Sequence, residues 1–358
     1  MIDKMEKSLD TFLKEAVKEV SNSVVEDITK NATLKIEKKL IEDFGFKPQI
    51  LKIKTPKKET IIKGVTHEMF ETALTIVNQD IPLYLTGPAG TGKNVLCKQI
   101  AEALDLDFYF SNAVTQEYKL TGFIDGLGKY QETQFYKAFT NGGLFFLDEI
   151  DASIPEVLVI LNAAIANRYF DFPIGKVEAH ENFRVIAAGN TTGTGADLNY
   201  TGRYTLDKAS LDRFAMLEIN YSPAIEINMA QNDQELVDFV HHFRNAAHDS
   251  DINCLFTYRS IDRIATLSKI MEDLMTVFNI ALLKGLSQDD LTILTNKMLN
   301  NWGKKGMSHN KYGRLFINNF SPSNLDDKKM TIEIKDVEAK PSLSWSEFYH
   351  PSSYATGW

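Results

Sequence analysis

The chain has 358 residues, 44% of them hydrophobic and 24% charged, with a net charge of −9. That length and balance predict two or three domains with ample core and argue against broad coating of nucleic acid, although a local basic loop or pore could still bind it. No apolar run reaches the roughly 18 residues of a membrane span, and charge from Asp3 and Lys4 onward argues against a signal peptide. Cys97 and Cys254 lie far apart, so reduced thiols in a cytoplasm are expected rather than a disulfide framework.

Residues 2 to about 44 carry apolar side chains at three- and four-residue steps, from Ile2, Met5 and Leu9 to Val24 and Ile28, with no Gly or Pro before Gly45. The pattern predicts a helical arm, either a coiled-coil or docking element or an amphipathic helix packed on its own domain. Lys47 to Gly64 then holds two short alternating runs around Pro56, which read as a hairpin or linker.

From Val65 helix and strand patterns alternate. His67–Asn78 reads as a helix, and five apolar strands are expected: Leu83–Thr86, Asp107–Ser111, Leu144–Leu147, Phe183–Ala188 and Phe214–Ile219. Continuous apolar strands separated by helices predict a parallel sheet covered on both faces. Gly122–Tyr130 and Tyr169–Val177 are expected as inserted hairpins. After Pro223 the spacing is helical over Leu236–Ala247, Ser260–Met275 and Leu291–Leu299, which predicts a small helical domain. From about Trp302 the pattern dissolves, and the stretch to Trp358 reads as an irregular tail.

One stretch organises the rest. Gly87-Pro88-Ala89-Gly90-Thr91-Gly92-Lys93-Asn94 follows the first sheet strand and opens a helix with Val95, Leu96, Ile100, Ala101 and Leu104 at its apolar positions. The spacing G-x-x-x-x-G-K in that context predicts a phosphate-binding loop. Its glycines let successive N–H groups turn inward, the helix N-terminus adds partial positive charge, and Lys93 reaches the β- and γ-phosphates. Residues 87 to 95 are the expected nucleotide contacts, Val95 included. Asn94 stands where Ser or Thr usually gives a hydroxyl to Mg²⁺; its amide oxygen is also a hard ligand.

Leu144–Leu147 ends in Asp148 and Glu149, at the strand edge where open α/β sheets bind ligands. Asp148 is expected to hold Mg²⁺ and Glu149 to act as general base toward water; the plainer alternative is a pair of solvated acids. Asn190 closes the fourth strand and could orient that water, or simply form a turn. Arg213, just ahead of the fifth strand, is a candidate finger toward a neighbouring subunit's nucleotide, against a surface ion pair with Asp212 or Asp207. Arg203 is a second candidate finger. Arg259, in the helical part, could touch the nucleotide of its own chain. His241, His242 and His248 lack metal-ligand spacing, Cys97 reads as a core thiol, and Lys57-Lys58 and Lys304-Lys305 read as solvated surface.

The order of these signals resembles an AAA+ ATPase, and most nearly the MoxR and dynein-related branch, which includes the ATPase subunit of cobaltochelatase. Gly143–Ala152, Asn162–Ala166 and Phe183–Thr191 carry the similarity, which covers about Thr66 to Ser268. The resemblance implies an α/β P-loop sandwich in αβα layers with a five-stranded parallel sheet, a C-terminal helical lid and an N-terminal helical arm. The corresponding boundaries are 1–64, 65–224, 225–301 and 302–358. It further implies that Lys93 is the Walker A lysine and Asp148 and Glu149 the Walker B pair. Asn190 becomes sensor 1, Arg213 the arginine finger and Arg259 sensor 2. ATP and Mg²⁺ are the implied cofactors, and Asn94 bears on Mg²⁺ affinity and turnover more than on nucleotide binding. A homo-oligomeric ring, most simply a hexamer, would remodel a protein substrate, with a von Willebrand A-type partner implied for this branch. Tyr118, Lys119 and Phe123 are the expected substrate contacts at a pore-facing hairpin. A nucleotide-gated scaffold with weak turnover and a DNA-directed motor are the alternatives. No Asn-Lys-x-Asp motif follows the acidic strand, which argues against a GTPase.

Overall fold

The computed structural model describes residues 51–54, 59–62, 64–196 and 200–321. The expected helical arm over residues 2 to 44 and the stretch beyond 321 lie outside the described residues. Strands β1 (Leu51–Lys54) and β2 (Glu59–Ile62) pair antiparallel, which favours the hairpin over the linker of the two expected readings.

Five parallel strands form the central sheet. They are β3 (Leu83–Thr86), β4 (Phe108–Ser111), β7 (Gly143–Leu147), β10 (Phe183–Ala188) and β11 (Ala215–Glu218), in the order β11-β3-β10-β7-β4. Between them lie two short antiparallel hairpins, β5 (Phe123–Ile124) with β6 (Tyr130–Gln131) and β8 (Tyr169–Phe172) with β9 (Gly175–Glu178), at the two predicted insertions.

Strand alternation sends side chains to opposite faces, so each inner strand feeds two cores. Leu83, Leu85, Leu144, Phe146, Ile186 and Ala188 pack with helices α1 (Phe70–Asn78) and α2 (Lys93–Ala103) on one face. Tyr84, Phe145, Leu147, Val185 and Ala187 pack with α4 (Gln134–Asn141) and α5 (Pro155–Asn167) on the other. Short helices α3 (Tyr118–Thr121) and α6 (Lys208–Leu211) complete this layer. Strands β3 and β7 are wholly buried, and the edge strands β4 and β11 only partly so. This is an α/β sandwich around a parallel sheet, as expected.

A third core is entirely helical. It is built from α7 (Pro223–Met229), α8 (Gln234–Asp249), α9 (Tyr258–Leu267), α10 (Leu274–Ala281), α11 (Gln288–His309) and α12 (Lys311–Phe320). Two expectations are corrected here. The helix expected over Ser260–Met275 ends at Leu267. Asp273 starts the next one by accepting hydrogen bonds from the Met275 and Thr276 N–H groups, a side-chain N-cap the periodicity alone conceals. The irregular tail expected from Trp302 is helical as far as Phe320, and Met307, Tyr312 and Phe316 are fully buried. Gly303, at φ 80° and ψ 148°, breaks the helical phase inside α11, so the apolar period resets there and the sequence pattern looks lost.

The histidines have plain partners. His241 and Arg244 hold the Glu226 carboxylate, which is 1% exposed. His242 stacks on Trp302 with ring centroids 4.1 Å apart, and the His248 side chain is exposed beside Asp249. Cys97 is buried in the α1–α2 core, and Lys304 and Lys305 are exposed.

Candidate functional site

The glycine-rich loop wraps from the C-terminal end of β3 into α2. Gly87 has φ 127°, and a Cβ there would lie 2.3 Å from the Ile219 carbonyl oxygen. Only glycine therefore fits between the loop and the end of β11. Gly90 has φ 74° and lies against Thr257 at the start of α9, where a Cβ would come within 2.6 Å of that side chain. The N-cap of α2 is Gly92, which offers no side-chain acceptor. The first-turn N–H groups of α2 thus have no side-chain cap and suit an incoming anion.

The Lys93 ammonium is folded back on its own loop. It donates to the Gly87 and Pro88 carbonyl oxygens at 2.8 and 2.9 Å and to Asn190 Oδ1 at 3.3 Å. Burial lowers its pKa to about 8, opposed by the charges of Asp148 and Asp151. Asp148 follows β7 directly. Burial raises its pKa, against hydrogen bonds from the Asn94 side chain and the Glu149 N–H, the latter at 3.0 Å. The Asn94 amide thus donates to Asp148, and of the two side chains the carboxylate is the hard-oxygen donor that suits Mg²⁺ as the site stands.

Glu149 has a left-handed backbone, φ 53° and ψ 42°, a region non-glycine residues enter rarely. Its carboxylate meets Arg203 at 3.5 Å, and the other Arg203 arm meets Asp151 at 3.0 Å. Asp151 is completely buried. Its Oδ2 accepts from the Asn190 N–H, the Thr191 N–H and the Thr191 hydroxyl, each at 3.0 Å.

One cavity of about 400 Å³ gathers these groups. Ala89 to Leu96, Asp148, Glu149 and Asn190 line it from the sheet side, and Tyr258, Arg259 and Asp262 from α9. Val65, His67, Ile225 and Met229 line it as well. The structure therefore brings together most of the sequence-predicted residues: Ala89, Gly90, Thr91, Gly92, Lys93, Asn94, Val95, Asp148, Glu149, Asn190 and Arg259. Gly87 and Pro88 stand behind the wall as acceptors for Lys93. Arg213 is not among the lining residues; it is exposed and donates to the Ala209 carbonyl oxygen at 2.6 Å. Arg203, the second finger candidate, is engaged within its own chain by Glu149 and Asp151.

Sequence reasoning missed Asp151, although it stands two residues after Glu149. It also missed the side chains that tie the loop down. The Ala89 N–H donates to the Tyr200 hydroxyl at 3.0 Å, and the Tyr221 hydroxyl donates to the Ala89 carbonyl at 2.9 Å. Nothing local marks either tyrosine. Of the expected substrate contacts, Tyr118 and Phe123 are exposed and stack edge-to-face at 5.8 Å, with Lys119 between them in α3. They belong to the β5–β6 region, whose tip residue Leu127 is 94% exposed.

Among curated proteins, an uncharacterized protein of Staphylococcus epidermidis is 28% identical over 176 residues, covering 46% of this chain and 64% of that protein. An uncharacterized protein of Staphylococcus haemolyticus is 28% identical over 167 residues, covering 43% of this chain and 60% of that protein. The chain thus spans less than two thirds of the length of these relatives. Solved structures similar to it include NtrX from Brucella abortus, at 16% identity and a TM-score of 0.38, covering 76% of this chain and 57% of that one. A second NtrX structure, in complex with ADP, overlaps at 15% identity and a TM-score of 0.38, covering 74% and 69%. Overlaps this loose bear on neither ligand nor activity. The stretch that holds β3, the glycine-rich loop, β7 and β10, residues 82–214, matches the family model of the AAA domain in its dynein-related subfamily.

Proposed function

We propose that the chain is an ATP-hydrolysing AAA+ motor that works as a homo-oligomeric ring and remodels a macromolecular partner. The supporting observation is the single cavity lined by the loop around Lys93, the Asp148–Glu149 pair, Asn190 and Arg259. In this reading the loop N–H groups and Lys93 hold the phosphates. Asn190 holds the attacking water against the γ-phosphate and Glu149 takes its proton. The water oxygen bonds to the γ-phosphorus as the bond to the β–γ bridging oxygen breaks, leaving ADP and inorganic phosphate. Asp148 and Asn94 would hold Mg²⁺, which when bound neutralises charge on the β- and γ-oxygens.

Arg213, exposed and outside its own chain's cavity, is assigned to the neighbouring subunit's nucleotide. Arg259 reports the nucleotide to the helical lid, whose Thr257 packs on Gly90, while Tyr221, just ahead of the lid, holds Ala89. The resemblance to the MoxR branch supports a chaperone-like role on a protein substrate, with a von Willebrand A-type partner. A cytoplasmic setting is part of this proposal, supported by the two widely separated cysteines; among the described residues no helix is long and apolar enough to cross a membrane.

A nucleotide-gated scaffold with slow turnover is the second reading, and Asn94 favours it, because an amide replaces the usual hydroxyl beside Asp148. Steady-state ATP turnover against Mg²⁺ concentration, in the wild type and Asn94→Thr, separates the two. The motor reading expects Mg²⁺-dependent turnover in the wild type, with Asn94→Thr shifting the half-saturating Mg²⁺ concentration to a lower value. Wild-type turnover absent at every Mg²⁺ concentration, with ATP still bound, would leave the scaffold.

A further inference from the structure

The buried carboxylate of Asp151 has no part in the proposed hydrolysis, yet it touches both halves of the site. Its Oδ2 takes the Asn190 and Thr191 N–H groups and the Thr191 hydroxyl, and its Oδ1 takes Arg203. A fully buried charge persists only when paired and hydrogen-bonded, and these four contacts do that. Arg203 is a rigid planar fork, so fixing one arm on Asp151 fixes where the other arm sits. That second arm meets Glu149 Oε1 at 3.5 Å.

The backbone around this triad is equally constrained. Glu149 lies in the left-handed region, and such a conformation persists where surrounding contacts over-determine it. The Tyr204 N–H donates to the Asp151 carbonyl at 2.7 Å and the Ala152 N–H to the Glu149 carbonyl at 2.9 Å. At Gly189 a Cβ would fall 3.0 Å from Asp151 Cγ and 2.3 Å from the Tyr84 hydroxyl. The end of β10 is therefore nested against the aspartate with no room to slide.

We propose that Asp151 and Arg203 are positioning residues that hold the Glu149 carboxylate in register with Asn190, so that the base and the γ-phosphate-facing amide move as one unit. This rests on the reading of Glu149 as the general base. It also assigns Arg203 to its own chain's site and not to a neighbour's.

Arg203→Lys and Arg203→Ala test it, with ATP affinity, thermal melting and turnover measured on the full chain. Lys keeps a charge beside Asp151 but loses the second arm. It is expected to fold and to bind ATP within about threefold of wild type, yet to lower kcat about tenfold or more. Full kcat in Arg203→Lys would reduce the residue to charge compensation for Asp151 and overturn the proposal. So would a loss of ATP affinity with unchanged kcat.

Mixtures of Arg203→Ala with Glu149→Gln chains give a second readout. Action within one chain predicts no recovery, because no site regains both residues. Recovery of turnover would place Arg203 in a neighbour's site and overturn the proposal. Wild-type chains that hydrolyse no ATP would overturn this inference together with the general-base reading. Loss of turnover in Glu149→Gln but not in Arg203→Lys would overturn the positioning alone.

Discussion

Lys93 shows how burial and charge set a single residue's behaviour. In the folded chain without ligand its pKa is lowered to about 8, whereas an unfolded lysine holds its proton to about 10.5. Between those values the unfolded state binds more protons. The Lys93 contribution to stability therefore rises with pH across that window, and below pH 8 burying the charged form costs stability. Phosphate has the opposite effect, because an anion against Lys93 favours its charged form. ATP binding is then expected to take up a proton above pH 8, and affinity should fall as pH rises from 8 toward 10.5. Calorimetry in two buffers of different ionisation enthalpy measures that uptake, and Lys93→Met should abolish it. Proton release on binding would contradict the assignment of Lys93 to the phosphates.

At this scale the legibility of the sequence follows contact range. The placement of Lys93, Asp148, Glu149 and Asn190 around one cavity was readable because each lies in a local pattern, a loop or a strand end, whose backbone dictates its direction. Tyr200 and Tyr221 were not, and Arg203 was readable only as a candidate finger, not by its contacts within its own chain. Their roles depend on contacts 111, 132 and 54 residues away along the chain. Asp151 could have been found, since it stands two residues after the acidic pair. What concealed it is burial: a carboxylate in the short turn after a strand reads as solvated until Arg203, Asn190 and Thr191 surround it.

Among the elements, the five sheet strands were legible because strands buried on both faces are continuously apolar. The helical lid was legible only in part. Its periodicity survives as far as Leu299, then Gly303 resets the phase and the apolar side chains from Met307 to Phe320 look like noise. They are core. The Phe316 ring lies 4.9 Å from that of Phe239 and 5.5 Å from that of Phe278, with no exposure to solvent. Phe316→Ala should therefore cost about 3–5 kcal/mol of lid stability, read as a lower denaturant midpoint. An effect under about 0.5 kcal/mol, the range of ordinary surface substitutions, would mean that α12 does not belong to that core. Because Thr257 of the lid packs on Gly90 and the Tyr221 hydroxyl holds Ala89, loosening the lid should also weaken ATP binding.

For the whole molecule, the cavity is lined by Ala89 to Val95, Asp148, Glu149, Asn190 and Arg259, whereas Arg213 is exposed and is not among its lining residues. The proposed ring would account for that separation by a site shared between subunits, with the base on one chain and the finger on the next. Steady-state ATP turnover of Glu149→Gln, Arg213→Ala and their equimolar mixture tests this most directly, with ATP affinity measured alongside. Each variant alone should bind ATP and turn over at least about 10²-fold more slowly than wild type. The mixture should recover part of the rate, because some interfaces then pair an intact Glu149 with an intact Arg213. Undiminished turnover in Glu149→Gln, or no recovery in the mixture, would contradict a site completed by its neighbour around Glu149.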